Sequence, residues 1–541
     1  MDEELEELDY VDRLLWKKAG SPSRSPDLDV SNLLRLHLTL SHHDAEQFLL
    51  FATRSARAFV GKDTLVTKEV GEVETGSGLS LLHSWAPKLQ ELILDAVIPY
   101  TQYPRKSWLA LSDLLVAFPN CRSWALNGVY ITELGPTWNE RTTEEQSEIE
   151  KRKTNRLKFL SIKEKTLRQD PPVILLQDVE CVYGRELRKL SVEGIIQITP
   201  LEWLLAHAPR LQELTLAQVL DNTAAARARQ VFETLALNCP DLRALHLTKP
   251  LSMGDGGYDA WDAMLVSLCK LESLTLPSWY IFNEVFDSLA SRHGNFELEE
   301  NELTEATGTK NRDRNRRGLV QASFPLCSIS DTSGIRRWLT SQASWRLVVL
   351  DFSGTLLNVN IFAPLPANVS AGADAQAEAI VEAAPEEEEV IWGCDKTLEV
   401  LKIDRIGFLS SRLYNEERLA AALADARRVR QRLERLVRLK TLSIGRASVP
   451  RSIFLPQDDP DSTTSASLSD SPTGLPAESV EPNTPILFKQ LTFLRLEGLY
   501  PKLGPSEVDR LFLRYPSLVN FQAVDTFTPE GLEHYMEICK K

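Results

Sequence analysis

Apolar positions recur along this 541-residue chain with the spacing L-x-x-L-x-L, which makes an internal repeat the first thing to explain. The spacing opens "LLRLHL" at Leu33, "LQELIL" at Leu89, "LKFLSI" at Leu157, "LRKLSV" at Leu187, "LQELTL" at Leu211, "LRALHL" at Leu242 and "LESLTL" at Leu271. It continues as "LVVLDF" at Leu347, "LEVLKI" at Leu398, "LKTLSI" at Leu439 and "LTFLRL" at Leu491, with weaker copies "CRSWAL" at Cys121 and "LVNFQA" at Leu518. The starts at Leu187, Leu211, Leu242 and Leu271 are separated by 24, 31 and 29 residues, a repeat of irregular length. The last four residues of each copy alternate apolar and polar, the period of a short strand, and an amphipathic stretch of helical period precedes the next copy. Each repeat therefore reads as one strand and one helix.

Five copies share a lead-in in which a proline follows a small or apolar residue: Pro87 after Ala86, Pro119 after Phe118, Pro209 after Ala208, Pro240 after Cys239 and Pro516 after Tyr515. Proline cannot continue a helix and biases its predecessor toward extended geometry, so it marks the corner from helix to strand. This decides how "NCPDLRALHL" is read, where Cys239 and His246 invite comparison with a nucleophile and its base. Cys239 takes the slot of two alanines and two aromatics, a packing position. If Leu242, Leu245 and Leu247 point inward, His246 faces the other side of the strand, and the two side chains do not meet.

These copies and lead-ins resemble those of leucine-rich-repeat proteins, of the degenerate type found in F-box/leucine-rich-repeat proteins and ribonuclease-inhibitor-like solenoids, over about residues 31 to 527. The resemblance implies an α/β fold: a curved parallel sheet on the concave side, helices on the convex side. It departs from the family three positions after the last leucine. Where the family often has Asn or Cys, this chain has Val97, Val129, Ile195, Val219, Ile406 and Leu499, so these turns close by apolar packing. One repeat cannot bury its own apolar side; neighbours must supply the cover, and the units must stack.

Apolar residues make up 43% of the chain and charged residues 25%, enough for an extensive core. The net charge of -15 argues against phosphate-backbone binding as the main task. Seven cysteines without Cys-x-x-Cys pairing fit a reducing compartment. The acidic start "MDEELEELDYVDRLLWKK" has no signal-peptide pattern, and no apolar run is long enough to span a bilayer, so a cytoplasmic or nuclear protein is expected. The sequon at Asn368 lies in low-complexity sequence and carries no weight in such a compartment.

Composition divides the chain further. Residues 1–30 read as an acidic amphipathic helix and Ser/Pro linker, 31–296 as the first part of the solenoid, 297–320 as a disordered polar loop and 321–360 as a continuation. An acidic Ala/Glu-rich insertion covers 361–392, and 393–452 resumes the repeats with a basic helix at 415–440. A Ser/Pro/Asp-rich disordered insertion spans 453–486, and 487–541 holds the terminal repeat and a C-terminal helix. The basic helix aligns Leu419, Leu423, Val429, Leu433 and Leu436 in a stripe, with Arg427, Arg428, Arg430, Arg432, Arg435 and Arg438 on its other faces. It reads as a solvated convex-side helix; docking of an acidic partner, or of the chain's own Glu386 to Glu389 run, is the other reading. The Ser-Pro pairs at Ser21, Ser25 and Ser471 read as ordinary loop composition.

No phosphate loop, nucleophile elbow, HExxH or EF-hand spacing occurs, so neither a cofactor nor a metal is expected. "GDGG" at 254–257 is a loop, and His42, His43 and Asp44 fit a helix N-terminus. The resemblance implies a non-enzymatic scaffold that binds a protein on its concave face. The residues between and after the inward leucines would line that face: Glu91, Ile93, Asp95, Lys189, Ser191, Glu193, Glu213, Thr215, His246, Thr248, Thr275, Asp351, Lys402, Asp404, Arg495 and Glu497. A substrate-recognition subunit of a ubiquitin ligase, partnered by a Skp-type adaptor and a cullin, is the specific form of that expectation, although the 32 residues before Leu33 hold no F-box-like "LPxE" opening. The alternatives are a repeat-based enzyme or GTPase-activator-like regulator and, as a minor reading, nucleic-acid binding through the basic helix and "NRDRNRR". A monomer that does not touch membranes is expected.

Overall fold

The computed structural model describes residues 35–41, 90–97, 121–127, 158–163, 173–174, 186–206, 208–221, 224–254, 256–291, 318–329, 331–363, 391–407, 416–445, 449–455 and 488–540. The N-terminal segment 1–30, the residues Ala86, Pro87, Phe118, Pro119, His42, His43, Asp44 and Val129, the Ser-Pro pairs, the sequon and the Glu386 to Glu389 run lie outside them. So do most of the segments 297–320, 361–392 and 453–486. The chain forms two compact units, Met1–Leu271 and Glu272–Lys541.

In the first unit the strands are β1 (Arg35–Ser41), β2 (Glu91–Val97), β3 (Ser123–Asn127), β4 (Phe159–Lys163), β5 (Val173–Ile174), β6 (Lys189–Gln197), β7 (Glu213–Asp221), β8 (Ala224–Ala225) and β9 (Ala244–Leu247). They pair in parallel in the order β1-β2-β3-β4-β6-β7-β9, with β5 parallel beside the later part of β6 and β8 antiparallel to the end of β7. The helices are α1 (Ile198–Ala206), α2 (Ala228–Asn238) and α3 (Gly257–Ser267). Helix α2 buries Ala228, Val231, Phe232 and Leu235, and Phe232 meets Trp261 of α3 edge to face at 5.3 Å. The "GDGG" stretch is the entry to α3: Gly256, at φ +77, supplies a left-handed turn that a side chain disfavours.

In the second unit the main parallel order is β10 (Ser273–Thr275), β12 (Gln321–Ser323), β14 (Val349–Asp351), β16 (Val400–Ile403), β18 (Thr441–Ile444), β20 (Phe493–Glu497) and β22 (Asn520–Val524). Short strands form second parallel ladders just past the first: β11 (Tyr280–Ile281) with β13 (Ser328–Ile329), β15 (Leu356–Asn358) with β17 (Arg405–Gly407), and β19 (Val449–Pro450) with β21 (Leu499–Tyr500). The helices are α4 (Asn283–Ser291), α5 (Ser333–Thr340), α6 (Glu416–Glu434), α7 (Pro505–Arg514) and α8 (Pro529–Ile538). Each unit thus has the leucine-rich-repeat solenoid fold, strand and helix in alternation with the strands side by side.

The corners recur as the prolines imply. The first leucine of a repeat donates its N–H to the carbonyl three residues earlier: Leu211 to Ala208 and Leu242 to Cys239 at 3.1 Å, Leu491 to Phe488 and Leu518 to Tyr515 at 3.0 Å. The residues before the proline, Ala208, Cys239 and Tyr515, are buried. The apolar residues in the turn slot are buried too, Val219 at 4%, Ile406 at 0% and Leu499 at 2% exposure; Ile406 and Leu499 belong to the second ladders.

Two expectations need correction. The continuation expected from 321 begins earlier and holds a copy that the spacing did not show: "LVQASF" places Ala322 on β12 between β10 and β14, and Leu319, assigned to the polar segment 297–320, is 2% exposed. The motif is hidden because alanine and phenylalanine stand where leucines are expected. Phe324 stacks on Phe352 at 5.5 Å, the wider ring filling the space.

The second correction concerns α6. Arg427, Arg428 and Arg438 are exposed, but Arg432 is 7% exposed, with Nη1 3.5 Å from Asp395 Oδ2 and its guanidinium 5.4 Å from the Trp392 ring centroid. Leu423, expected in the buried stripe, is 38% exposed; Val429, Leu433 and Leu436 are buried, and the side chain of Leu419 is outside the described ones. A planar, weakly hydrated guanidinium over an indole with a carboxylate beside it is one way a cation enters a core.

Burial raises the Asp395 carboxyl above its ordinary pKa, against the pull of Arg432 and Arg435. A carboxyl raised in the folded state favours folding at low pH, and that contribution is lost as pH rises through the raised value. Replacing Arg432 with Ala leaves a buried carboxylate without its cation and is expected to destabilise the second unit by about 3 to 5 kcal/mol at neutral pH. The loss shrinks as the pH falls and Asp395 takes up a proton; urea unfolding of Arg432→Ala at neutral and at acidic pH measures both.

Candidate functional site

Strand alternation sends the leucines to the core and leaves the residues between them on the opposite sheet face. Register aligns those residues into rows across strands about 4.8 Å apart. In the first unit one row runs Ile93, Ala125, Ser161, Ser191, Thr215, His246. From Ile93 to Thr215 it carries no charged side chain and is built mostly of small ones; the register continues it with His37 on β1 at one end and His246 at the other. Ser191 is only 8% exposed, covered by its neighbours like the floor of a shallow track.

The adjacent row runs Glu91, Ser123, Phe159, Lys189, Glu213, Ala244. Lys189 Nζ and Glu213 Oε2 are 2.7 Å apart, each side chain 48% exposed, a pair contributing at most about 1 kcal/mol. Phe159 is 41% exposed beside the track. Glu193 and Thr248 are exposed farther along β6 and just after β9. Asp95 lies on β2, its side chain outside the described ones. A bulge between Val192 and Ile195 shifts the register beyond this point.

In the second unit the corresponding row is Thr275, Ser323, Asp351, Lys402, Ser443, Arg495, Gln522. Here the charges are matched locally. Lys402 Nζ is 3.1 Å from Asp351 Oδ2, Ser443 donates to Asp404 Oδ1 at 2.6 Å, and Arg495 Nη2 is 3.7 Å from Glu497 Oε2. Asp351 also accepts the Ser353 N–H at 2.8 Å, which fixes its carboxylate at the turn. The row before it, through Val349, Val400, Thr441 and Phe493, is half-buried and mostly apolar.

The positions read from the sequence thus fall into two groups, one on each unit. Glu91, Lys189, Glu213, Thr215 and His246 share the first face; Thr275, Asp351, Lys402, Asp404, Arg495 and Glu497 share the second. Phe159, Ala125 and Ser161 were missed because the copies at Cys121 and Leu157 look weak or sit apart, although Phe159 occupies the same slot as Lys189 and Glu213. Among the described residues no group of three or more His, Cys, Asp or Glu side chains gathers as a metal site would require. None of the described helices is long and apolar enough to cross a membrane.

Cys239 and His246 are separated by the sheet as expected: Cys239 is fully buried, its thiol pushed up to about 12 by desolvation, whereas His246 is half-buried on the opposite face. Cys121, Cys327 and Cys394 are buried as well, and Cys539 is exposed. Burial holds the His246 imidazole below its ordinary pKa; the Glu213 carboxylate opposes that shift and the Lys189 ammonium adds to it. The ring is neutral at pH 7 and offers one donor and one acceptor.

No protein-family model matches the chain, and no curated protein matches it. Among solved structures the chain is similar to the TLR13–ssRNA13 complex at 14% identity and a TM-score of 0.39, over 84% of this chain and 50% of that one, so it spans half the length of that TLR13 chain. It is similar to the internalin inlF of Listeria monocytogenes at 12% identity and a TM-score of 0.33, over 87% and 94% of the two chains. It is also similar to the Rad7 and Elc1 complex of yeast at 12% identity and a TM-score of 0.28, over 66% and 80%. These likenesses are distant; strand order and register establish the fold.

Two measurements check the site. In NMR titration, Glu213→Gln lowers the His246 pKa further and Lys189→Met raises it; a shift of the opposite sign in either variant contradicts this placement. Among the described cysteines a thiol reagent added to the native protein modifies Cys539 before Cys239, and Cys239→Ser leaves the early rate unchanged, since a desolvated thiol with a pKa of about 12 forms almost no thiolate at neutral pH.

Proposed function

We propose that the chain is a non-enzymatic scaffold that binds a protein partner on the sheet face of the first unit. The observation that carries this reading is the aligned track from Ile93 to His246. Its side chains are small and uncharged, bordered by a half-exposed Phe159 and by a lysine and a glutamate that neutralise each other. Such a surface accepts a protruding side chain or loop and offers at its margin an aromatic anchor, the residue class enriched at protein interfaces. Taken by itself, the second unit's face, where Asp351, Lys402, Asp404, Arg495 and Glu497 are committed to pairs or stand beside opposite charge, suits specificity more than affinity.

The finer reading is a substrate-recognition subunit resembling F-box/leucine-rich-repeat adaptors, working with a Skp-type adaptor and a cullin. It rests on the sequence resemblance over about residues 31 to 527. The partner would then be the protein to be modified, held on the track while the ligase is recruited elsewhere.

Thr215→Arg places a long cation in the middle of the track without entering the core. Affinity purification from native cells with wild type and this variant tests both levels. A partner recovered with wild type should bind the variant at least about thirtyfold more weakly, the size expected for a central contact of 2 kcal/mol or more. Equal recovery overturns the face assignment, and absence of Skp-type and cullin proteins from both samples overturns the ligase reading alone.

A further inference from the structure

The floor of the first unit's track holds hydrogen-bonding groups that the chain itself leaves unused. Ser191 is 8% exposed on β6, between Ser161 on β4 and Thr215 on β7 in register. Leu190 and Val192, its neighbours along the strand, are fully buried in the core, so alternation aims its hydroxyl at the track. Among the described residues, the hydroxyls of Ser161, Ser191 and Thr215 and the ring of His246 form no hydrogen bond with any other group of the chain. A covered hydroxyl without a protein partner calls for an explanation, and on a binding face the explanation is the group that docks there.

The charges beside this floor decide what fits. Along β6 the next residues on the same face are Lys189 and Glu193. Lys189 Nζ is 2.7 Å from Glu213 Oε2 on β7, and Glu193 stands opposite Lys163 of β4 in register. Each border of the floor thus sets a cation against a carboxylate, and the His246 ring at its end is neutral. A carboxylate or phosphate seated on Ser191 would give up its water beside a Lys189 ammonium already held by Glu213. An ammonium or guanidinium would do so beside a Glu213 carboxylate already held by Lys189. A neutral polar group escapes both costs.

Hydroxyls both donate and accept, as does a neutral imidazole. Water serves them until a partner arrives, and an occupant that displaces this water without loss must also do both. A side-chain carboxamide meets the requirement. Its oxygen and nitrogen are about 2.2 Å apart from amide bond lengths, and neighbouring strands are about 4.8 Å apart. Two hydroxyls on adjacent strands therefore converge on it, one donating to the oxygen and the other accepting from the NH2 group. We propose that the floor of the track is a specificity site for an asparagine or glutamine side chain of the partner protein, received by Ser191 and Thr215. The proposal rests on the reading of this face as the partner surface and adds the chemical class of the group recognised.

A phage-displayed library of random peptides, selected on the immobilised full chain and counter-selected on Thr215→Arg, reads the preference. Peptides that wild type retains and Thr215→Arg releases are expected to share an asparagine or glutamine. Exchanging that residue for aspartate or glutamate weakens binding at least about tenfold, because the new charge is desolvated without a partner. Ser191→Ala removes one oxygen atom and leaves the leucine row in place. It weakens the carboxamide peptide about tenfold and leaves unchanged the affinity of the same peptide with alanine at that position. Peptides that depend on Thr215 yet lack a carboxamide, tolerate its exchange for a carboxylate, or ignore Ser191→Ala overturn the inference and leave the face assignment standing. A selection in which no peptide distinguishes wild type from Thr215→Arg overturns the face assignment, and the inference with it.

Discussion

Six inward side chains, Leu92, Trp124, Leu160, Leu190, Leu214 and Leu245, stand opposite one another on consecutive strands of the first unit, each 1% exposed or less. In the second unit Leu274, Ala322, Leu350, Leu401, Leu442 and Leu494 do the same, all at 0%, and Phe521 ends the row. No strand in these rows owns a complete core; each residue is covered from the side by its counterpart in the next repeat. Because side chains alternate along a strand, a slip of one residue would turn every leucine in a row to solvent. The same constraint therefore sets strand register, and through register it decides which residues meet on the opposite face.

That dependence explains what the sequence made legible. Where leucines hold the inward slots, as from Leu187 to Leu276, strand, corner and outward face follow from spacing alone, and the opposite placement of Cys239 and His246 follows with them. Reading fails where another residue fills the slot. Ala322 and Phe324 conceal a repeat because the volume needed in that layer is divided differently between its members, the rings of Phe286, Phe324 and Phe352 making up for the missing leucines. Arg432 deceives in the other direction, since a helical wheel assigns arginine to solvent and cannot know that Trp392 and Asp395 are waiting on the inner side. Among the face residues, the pairing of Lys189 with Glu213 and of Lys402 with Asp351 depends on which strands are neighbours, which periodicity alone does not supply.

The two faces use charge in a way that suits the acidic chain they belong to. A net charge of -15 would repel many partners if it were spread over the binding surface. On both units the face instead carries its charges beside opposite ones, and the first unit keeps its central row free of them. Recognition there falls to shape, to the hydrogen-bonding capacity of Ser161, Ser191, Thr215 and His246, and to the ring of Phe159. His246 contributes as a neutral group only while burial outweighs Glu213, so the lysine and glutamate next to it adjust the chemistry of the track besides bordering it.

Lateral cover also means that a repeat array has a vulnerable margin wherever it lacks a neighbour. Within the second unit the inward residues go from fully buried at Leu491 to half-buried at Leu518, a change produced by the loss of one adjacent layer and not by a change in residue type. A capped margin would hide this step behind polar side chains or a covering element. Here α8 is held over β22 by the bond from the Tyr535 hydroxyl to the Phe521 carbonyl and leaves Leu532 and Met536 about half exposed.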